Sequence, residues 1–159
     1  MSELIVERAL PADIPAWRLL AAEVEPLFGP MVGRPEFEAA LARTIERGQA
    51  LCVRAGAGQP GAPLLGGLLW SARPPHYEID WLAVSAAARR RGVGRRLAEK
   101  ALAWVVAPAT VDVVTFGEDD PAGRPARELY LALGFRPAEE VAGPGGERRQ
   151  LLRLAVPRA

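Results

Sequence analysis

At 159 residues the chain is long enough for one domain, spanning 1–159, that buries about two-thirds of its unfolded surface. Half of it is hydrophobic and a quarter charged, which suits an ordinary globular protein, and a net charge of +1 excludes a general field that would recruit nucleic acid or an anionic membrane. The single cysteine, Cys52, excludes an internal disulfide and a cysteine-rich metal site, and the single histidine, His76, excludes the common zinc constellations.

The opening residues MSELIVERAL lack the ordered basic, apolar and cleavage regions of a signal peptide, and no uncharged apolar run approaches ~20 residues. The expectation is a cytoplasmic protein with no membrane or nucleic-acid partner and no metal. Lys100 is the only lysine among 20 basic residues, a bias that a GC-rich coding sequence explains as readily as guanidinium chemistry does.

Leu4–Ala9 alternates as a first strand. Asp13 stands as an N-cap with Pro15 in the first helical turn, and Ile14, Trp17, Leu20, Ala21 and Val24 follow at helical spacing. Leu27–Arg34 reads as a Gly/Pro-rich loop. Pro35 opens a second helix through Phe37, Leu41 and Ile45, closed by Gly48. Ala50–Ala55, Leu64–Ser71 and His76–Val84 read as three strands joined by short turns, hence an antiparallel meander. A helix is expected from about Gly92 to Val106, where Pro108 stops it. The β-branched run Thr110–Phe116 predicts a central strand, Pro125–Leu133 a short helix ended by Gly134, and Phe135–Val141 with Arg149–Val156 a closing hairpin around Gly143-Pro144-Gly145-Gly146. The class is α/β: a mixed, mostly antiparallel sheet of about seven strands with helices on both faces and a central parallel strand–helix–strand crossover.

The most informative stretch runs from Ile79 to Val106. A strand leads through Ser85-Ala86-Ala87-Ala88 into Arg89-Arg90-Arg91-Gly92-Val93-Gly94, and a helix begins at once. Strand, glycine turn and helix N-terminus together hold a phosphate on backbone N–H groups. Arg90, Arg91, Arg95 and Arg96 crowd a helix end that already carries partial positive charge, unfavourable by roughly 0.3–1 kcal/mol each unless an anion binds there. The competing readings are a solvated basic turn and a nucleic-acid patch, the latter with steeply salt-dependent affinity.

With these residues in place, the chain resembles the GNAT N-acetyltransferase superfamily. Arg89-x-x-Gly92-x-Gly94 after the strand Ile79–Val84 is similar to the family's acetyl-CoA loop, and Ala126-x-x-x-Tyr130-x-x-x-Gly134-Phe135 to its second signature element. The order of elements is similar from end to end. Where many members carry an Asn that contacts the cofactor, this chain has Gly123, in a loop that offers Asp119 and Asp120 instead.

The resemblance implies a GNAT fold, acetyl-CoA as acyl donor and direct transfer to an amine. It assigns the pyrophosphate to the backbone of Arg91–Arg95, including Val93 and Gly94, with the side chains of Arg89, Arg90, Arg91 and Arg95 beside it. It assigns the pantetheine arm and thioester carbonyl to the backbone of Leu82, Ala83 and Val84, on a strand that splays from its parallel neighbour. Tyr130 becomes the acid for the leaving thiolate; the other reading is a core tyrosine beside Leu129 and Leu133. Glu78 and Asp80 share one strand face and become candidates for the base, against the alternative of solvated carboxylates at a strand edge. Glu118, Asp119 and Asp120 either attract a cationic amine or, at Asp120-Pro121, start a turn. Trp17, Phe28 and Met31 lie where the family walls its acceptor pocket, with a core role the stronger reading for Trp17; His76 reads as a strand entrance and Cys52 as core.

The acceptor implied is a primary amine of a small molecule or peptide. A catalytically silent acyl-CoA-binding domain is the alternative from another class. Exposed strand edges and the closing hairpin are compatible with a homodimer.

Overall fold

The computed structural model describes residues 4–143 and 146–158. Met1–Glu3, and Pro144-Gly145 of the expected hairpin turn, lie outside the described residues. Seven strands form a sheet in the order β1-β2-β3-β4-β5-β7-β6. They are β1 (Val6–Arg8), β2 (Ala50–Arg54), β3 (Leu64–Arg73), β4 (His76–Val84), β5 (Ala109–Phe116), β6 (Arg136–Ala142) and β7 (Arg148–Val156). The helices are α1 (Ile14–Phe28), α2 (Pro35–Glu46), α3 (Val93–Leu102) and α4 (Arg124–Ala132). The mixed, mostly antiparallel α/β class is as expected, with β4 and β5 as its parallel pair. No helix among the described residues is long and apolar enough to cross a membrane.

The chain divides into two compact units. The first holds the residues up to Trp70 together with Trp81–Trp104. In it β1 pairs antiparallel with β2, and β2 with β3 in a register that sets Cys52 opposite Gly67 and Val53 opposite Gly66. Successive residues of a strand face opposite ways. A Cβ on Gly67 would lie 2.8 Å from the Trp17 ring of α1, and one on Gly66 would lie 2.6 Å from a Val93 methyl of α3. Helices therefore cover both faces of this part of the sheet. Glycine is what lets them approach so closely. Trp17, Leu20 and Val24 of α1 join Leu41 and Ile45 of α2 and Cys52 of β2 in one buried cluster.

Three local expectations are corrected here. Asp13 stands at the N-cap of α1 but makes no cap hydrogen bond to it. Its carboxylate, fully buried, accepts instead from Arg54 Nε (3.0 Å) and Nη2 (2.7 Å), from Gly61 N (2.9 Å) and from Leu10 N (2.8 Å). Arg54 also reaches Glu7. Next, α1 does not stop before Leu27. It carries Pro26 in its last turn and ends at Phe28, because Gly29 N donates to the Glu25 carbonyl while the Glu25 carboxylate takes the amides of Met31 (2.6 Å) and Val32 (3.0 Å). Finally, α3 ends at Leu102 rather than Val106. Trp104 turns its ring onto Trp70, with centroids 5.7 Å apart, and the Arg8 guanidinium lies 4.8 Å over it. Val105 and Val106, β-branched, add little to continue a helix.

The second unit holds Ser71–Asp80 and the chain from Val105 onward. The first residues of β4 run parallel to β5, from His76 opposite Thr110 to Ile79 opposite Val113, where that ladder ends. β7 inserts between β5 and β6 and pairs antiparallel with both. The closing hairpin is thus present, and its second strand is the one that continues the sheet. α4 ends at Ala132, and Gly134, two residues on, has the φ of +103° expected of a helix-stopping glycine.

Candidate active site

In the first unit, β4 ends at Val84 and is followed by one 3-10 turn, Ala86–Ala88. The backbone then enters the left-handed region twice, at Arg90 (φ +65°) and Gly92 (φ +78°), before α3 begins at Val93. A non-glycine residue there costs of order 1 kcal/mol or more and is concentrated where a loop grips a ligand. Gly92 is free to carry the conformation because it has no Cβ. No side chain caps α3, and its first turn holds no acidic residue. Its opening N–H groups and its partial positive charge are left for an external anion. Arg89, Arg90, Arg91, Arg95 and Arg96 stand exposed around this end. Arg95 is joined to Glu99 at 3.4 Å, and the other four have no ion pair among the described residues. The loop thus fits a bound polyphosphate in conformation, exposed donors and charge.

Close seating of α3 depends on a residue that sequence reading missed. Gly66 on β3 lies under Val93 and Leu97, and its hypothetical Cβ would also come within 3.1 Å of the Ala83 carbonyl. Glycine inside an apolar strand run is the only signal for it. Ala83 is buried, while Leu82 and Val84 are partly exposed.

On the other side of this unit Trp17 is fully buried, as its core reading required. Its ring lies 5.7 Å from that of Trp81, which is 6.2 Å from Phe37 and donates its Nε1–H to Met31 Sδ at 3.2 Å. Phe28 and Met31 are partly buried against the same cluster. Cys52 is wholly buried, and desolvation pushes its thiol up to about 12.

In the second unit, Glu78 and Asp80 alternate with buried Tyr77 and Ile79 and stand exposed on one face of β4. Desolvation raises both carboxyls above their ordinary values. At Glu78 the negative charges of Asp80 and Asp112 add to the rise, while at Asp80 a hydrogen bond from Ser71 Oγ (3.3 Å) opposes it. Asp112, opposite Glu78 in the ladder, is gripped by Arg153 through Nε (2.7 Å) and Nη2 (3.1 Å). His76 stands exposed at the strand entrance with Nδ1 2.9 Å from Thr110 Oγ1.

Tyr130 is the buried residue of α4, 4% exposed, with its ring centroid 5.6 Å from that of Phe135. Burial pushes its phenol well above the ordinary value, so it is a neutral hydrogen-bond donor at any working pH. Gly123 is accounted for by packing: a Cβ there would lie 2.3 Å from Phe116 Cβ, leaving no room for Asn. Asp120 is committed to its turn, accepting from Ala122 N at 3.0 Å, while Glu118 and Asp119 stand exposed. Among the described residues no group of three His, Cys, Asp or Glu is placed to hold a metal ion.

Comparison with known proteins identifies the family and the fold. The family model described as "Acetyltransferase (GNAT) family" matches residues 18–135. Among solved structures the chain is similar to a GNAT-family acetyltransferase from Bacillus cereus ATCC 10987, with a TM-score of 0.75 at 16% identity over 99% of this chain and 100% of that one. It is similar to Ard1 from Thermoplasma volcanium, with a TM-score of 0.76 at 15% identity over 99% and 100%. A chain of the NatC complex bound to Gag peptide and CoA gives a TM-score of 0.76 at 16% identity over 98% and 99%. No curated protein matches in sequence. These likenesses fix the fold, and the family model, covering most of the chain, fixes the family: the chain belongs to the GNAT acetyltransferases.

Proposed function

We propose that the protein transfers the acetyl group of acetyl-CoA directly to a primary amine of a small molecule or a protein N-terminus. The observation that carries the reading is the uncapped start of α3 behind the left-handed turn at Arg90 and Gly92, set among unpaired arginines. Bound acetyl-CoA supplies an activated thioester. The amides of Arg91–Arg95 hold its pyrophosphate, and the arginine side chains, Arg89 among them, pair with its phosphates. The backbone of Leu82–Val84 orients the pantetheine arm and the thioester carbonyl. Glu78, with Asp80 as second candidate, takes the proton from the incoming ammonium; the amine nitrogen then bonds to the thioester carbon as the C–S bond breaks, and the thiolate, which accepts a hydrogen bond from the Tyr130 phenol as it leaves, takes up the second nitrogen proton. The NatC chain, whose structure contains CoA and a peptide, supports the choice of donor and of an amine acceptor.

Burial of Tyr130 favours a second reading, an acyl-CoA-binding domain without transfer. A thermal-shift titration with acetyl-CoA comes first: ligand at about 100 times its Kd adds roughly 2.7 kcal/mol of stability. Absence of a shift at millimolar acetyl-CoA overturns both readings. CoA release is then followed with a panel of amines. Transfer predicts that Glu78→Gln lowers kcat by about 10²–10⁴-fold. Because the Glu78 carboxyl is raised, wild-type activity falls on acidification at a pH above the ordinary glutamate value, a limb that the Gln variant lacks. Binding without release from any amine favours the silent domain.

A further inference from the structure

The loop that follows β4 is held from outside. Glu23, on the exposed side of α1, places Oε1 3.1 Å from Ser85 Oγ and Oε2 2.5 Å from Ala86 N, and both groups donate to it. Ser85 does not cap the 3-10 turn Ala86–Ala88 with its own side chain. The carboxylate from α1 supplies that cap instead. The contact joins residues 63 apart in sequence, immediately after Val84 and at the start of the turn that leads to Arg89–Gly94. α1 is itself anchored by Trp17, wedged against Gly67. We propose that Glu23 is a positioning residue for the acyl-donor loop, acting through Ser85 and Ala86 rather than by touching the donor. This rests on the reading of Arg89–Gly94 as the CoA site.

A ligand that needs one arrangement of a loop bears the cost of selecting it from any others the loop visits. Fixing the point at which the chain leaves β4 removes part of that cost before CoA arrives. Glu25, two residues further along α1, is the internal control. Its carboxylate also accepts two hydrogen bonds, here from the backbone amides of Met31 and Val32 in the loop that leads to α2.

Isothermal titration with CoA separates the two carboxylates. Glu23→Gln, isosteric but uncharged, is expected to raise the Kd for CoA about tenfold with the urea midpoint little changed, since exposed substitutions move stability only slightly. Ser85→Ala should give a smaller rise in the same direction, and its effect should not add to that of Glu23→Gln, because both remove one contact. Glu25→Gln should leave the CoA Kd at the wild-type value. Where turnover is measurable, the change at Glu23 should appear in KM for acetyl-CoA and leave kcat unaltered. The assignment is overturned if Glu23→Gln binds CoA as tightly as wild type, or if Glu25→Gln weakens CoA equally, which would mark a general loosening of α1. Wild-type protein that does not bind CoA removes the donor-site reading itself, and the role of Glu23 with it.

Discussion

Cys52 shows how strongly position governs the chemistry of one side chain. It is the only thiol in the chain, and the sequence reads it as core. The thiolate is the reactive species, and an ordinary thiol ionises near 8.5. Buried on β2 in the cluster it shares with α1 and α2, Cys52 is held as a neutral thiol, its pKa pushed up to about 12 by desolvation. The native protein at pH 8 should therefore leave a disulfide reagent such as dithionitrobenzoate almost untouched, whereas the urea-unfolded chain should react within minutes. Stoichiometric labelling of the folded protein at the rate of a free thiol would contradict this. Tyr130, also buried, is affected differently: burial suppresses its ionisation but preserves its use as a hydrogen-bond donor.

The seating of α3 on β3 is a property of a pair of elements. Val93 opens the helix and meets Gly66 directly, so a side chain at position 66 would push on the residue that begins the proposed phosphate site. In Gly66→Ala the new methyl would lie 2.6 Å from a Val93 methyl and 3.1 Å from both the Ala83 carbonyl and Leu97 Cδ1, all within the packed interior. Overpacking of this kind costs about 1–3 kcal/mol, more than the ~0.4–1 kcal/mol that alanine recovers by restricting the unfolded chain. The expected result is a lower urea midpoint together with weaker CoA binding. Gly117→Ala is the matched control, since its Cβ would meet nothing closer than 3.6 Å and its midpoint should stay near wild type. Equal loss in both variants would show that the tight approach to Val93 carries no special cost.

Across the whole chain, the features legible in the sequence were those encoded by neighbours: helical spacing in α1 and α2, the β-branched run of β5, the R-x-x-G-x-G turn and the Tyr130 helix. What escaped was encoded by distant partners. Trp104, just past the end of α3, meets Trp70; the absence of Asn at position 123 depends on Phe116, the cap of the turn after β4 on Glu23, and the true role of Asp13 on Arg54. The last of these has a consequence for the stability of the whole molecule. Desolvation pushes the Asp13 carboxyl up, but hydrogen bonds from Arg54, Gly61 and Leu10 outweigh it and hold the group below its ordinary value of 3.8. An acid with a depressed folded pKa contributes stability that is complete above its unfolded value and is lost as the pH falls through the folded one. Glu78 and Asp80, both raised, act with the opposite sign and favour the folded state in acid, so the acid limb of wild-type protein is a partial cancellation. Asp13→Asn isolates the first term. At pH 7 it should cost about 3–5 kcal/mol, because the Arg54 charge stays buried with its main partner gone. In urea unfolding measured between pH 7 and 3 the gap in stability should begin to narrow below about pH 4, by roughly 1 kcal/mol at pH 3, because the unfolded wild type takes up a proton there that the folded state resists. A constant gap down to pH 3 would show that folding does not lower the Asp13 pKa, contradicting the strength of its pairing with Arg54.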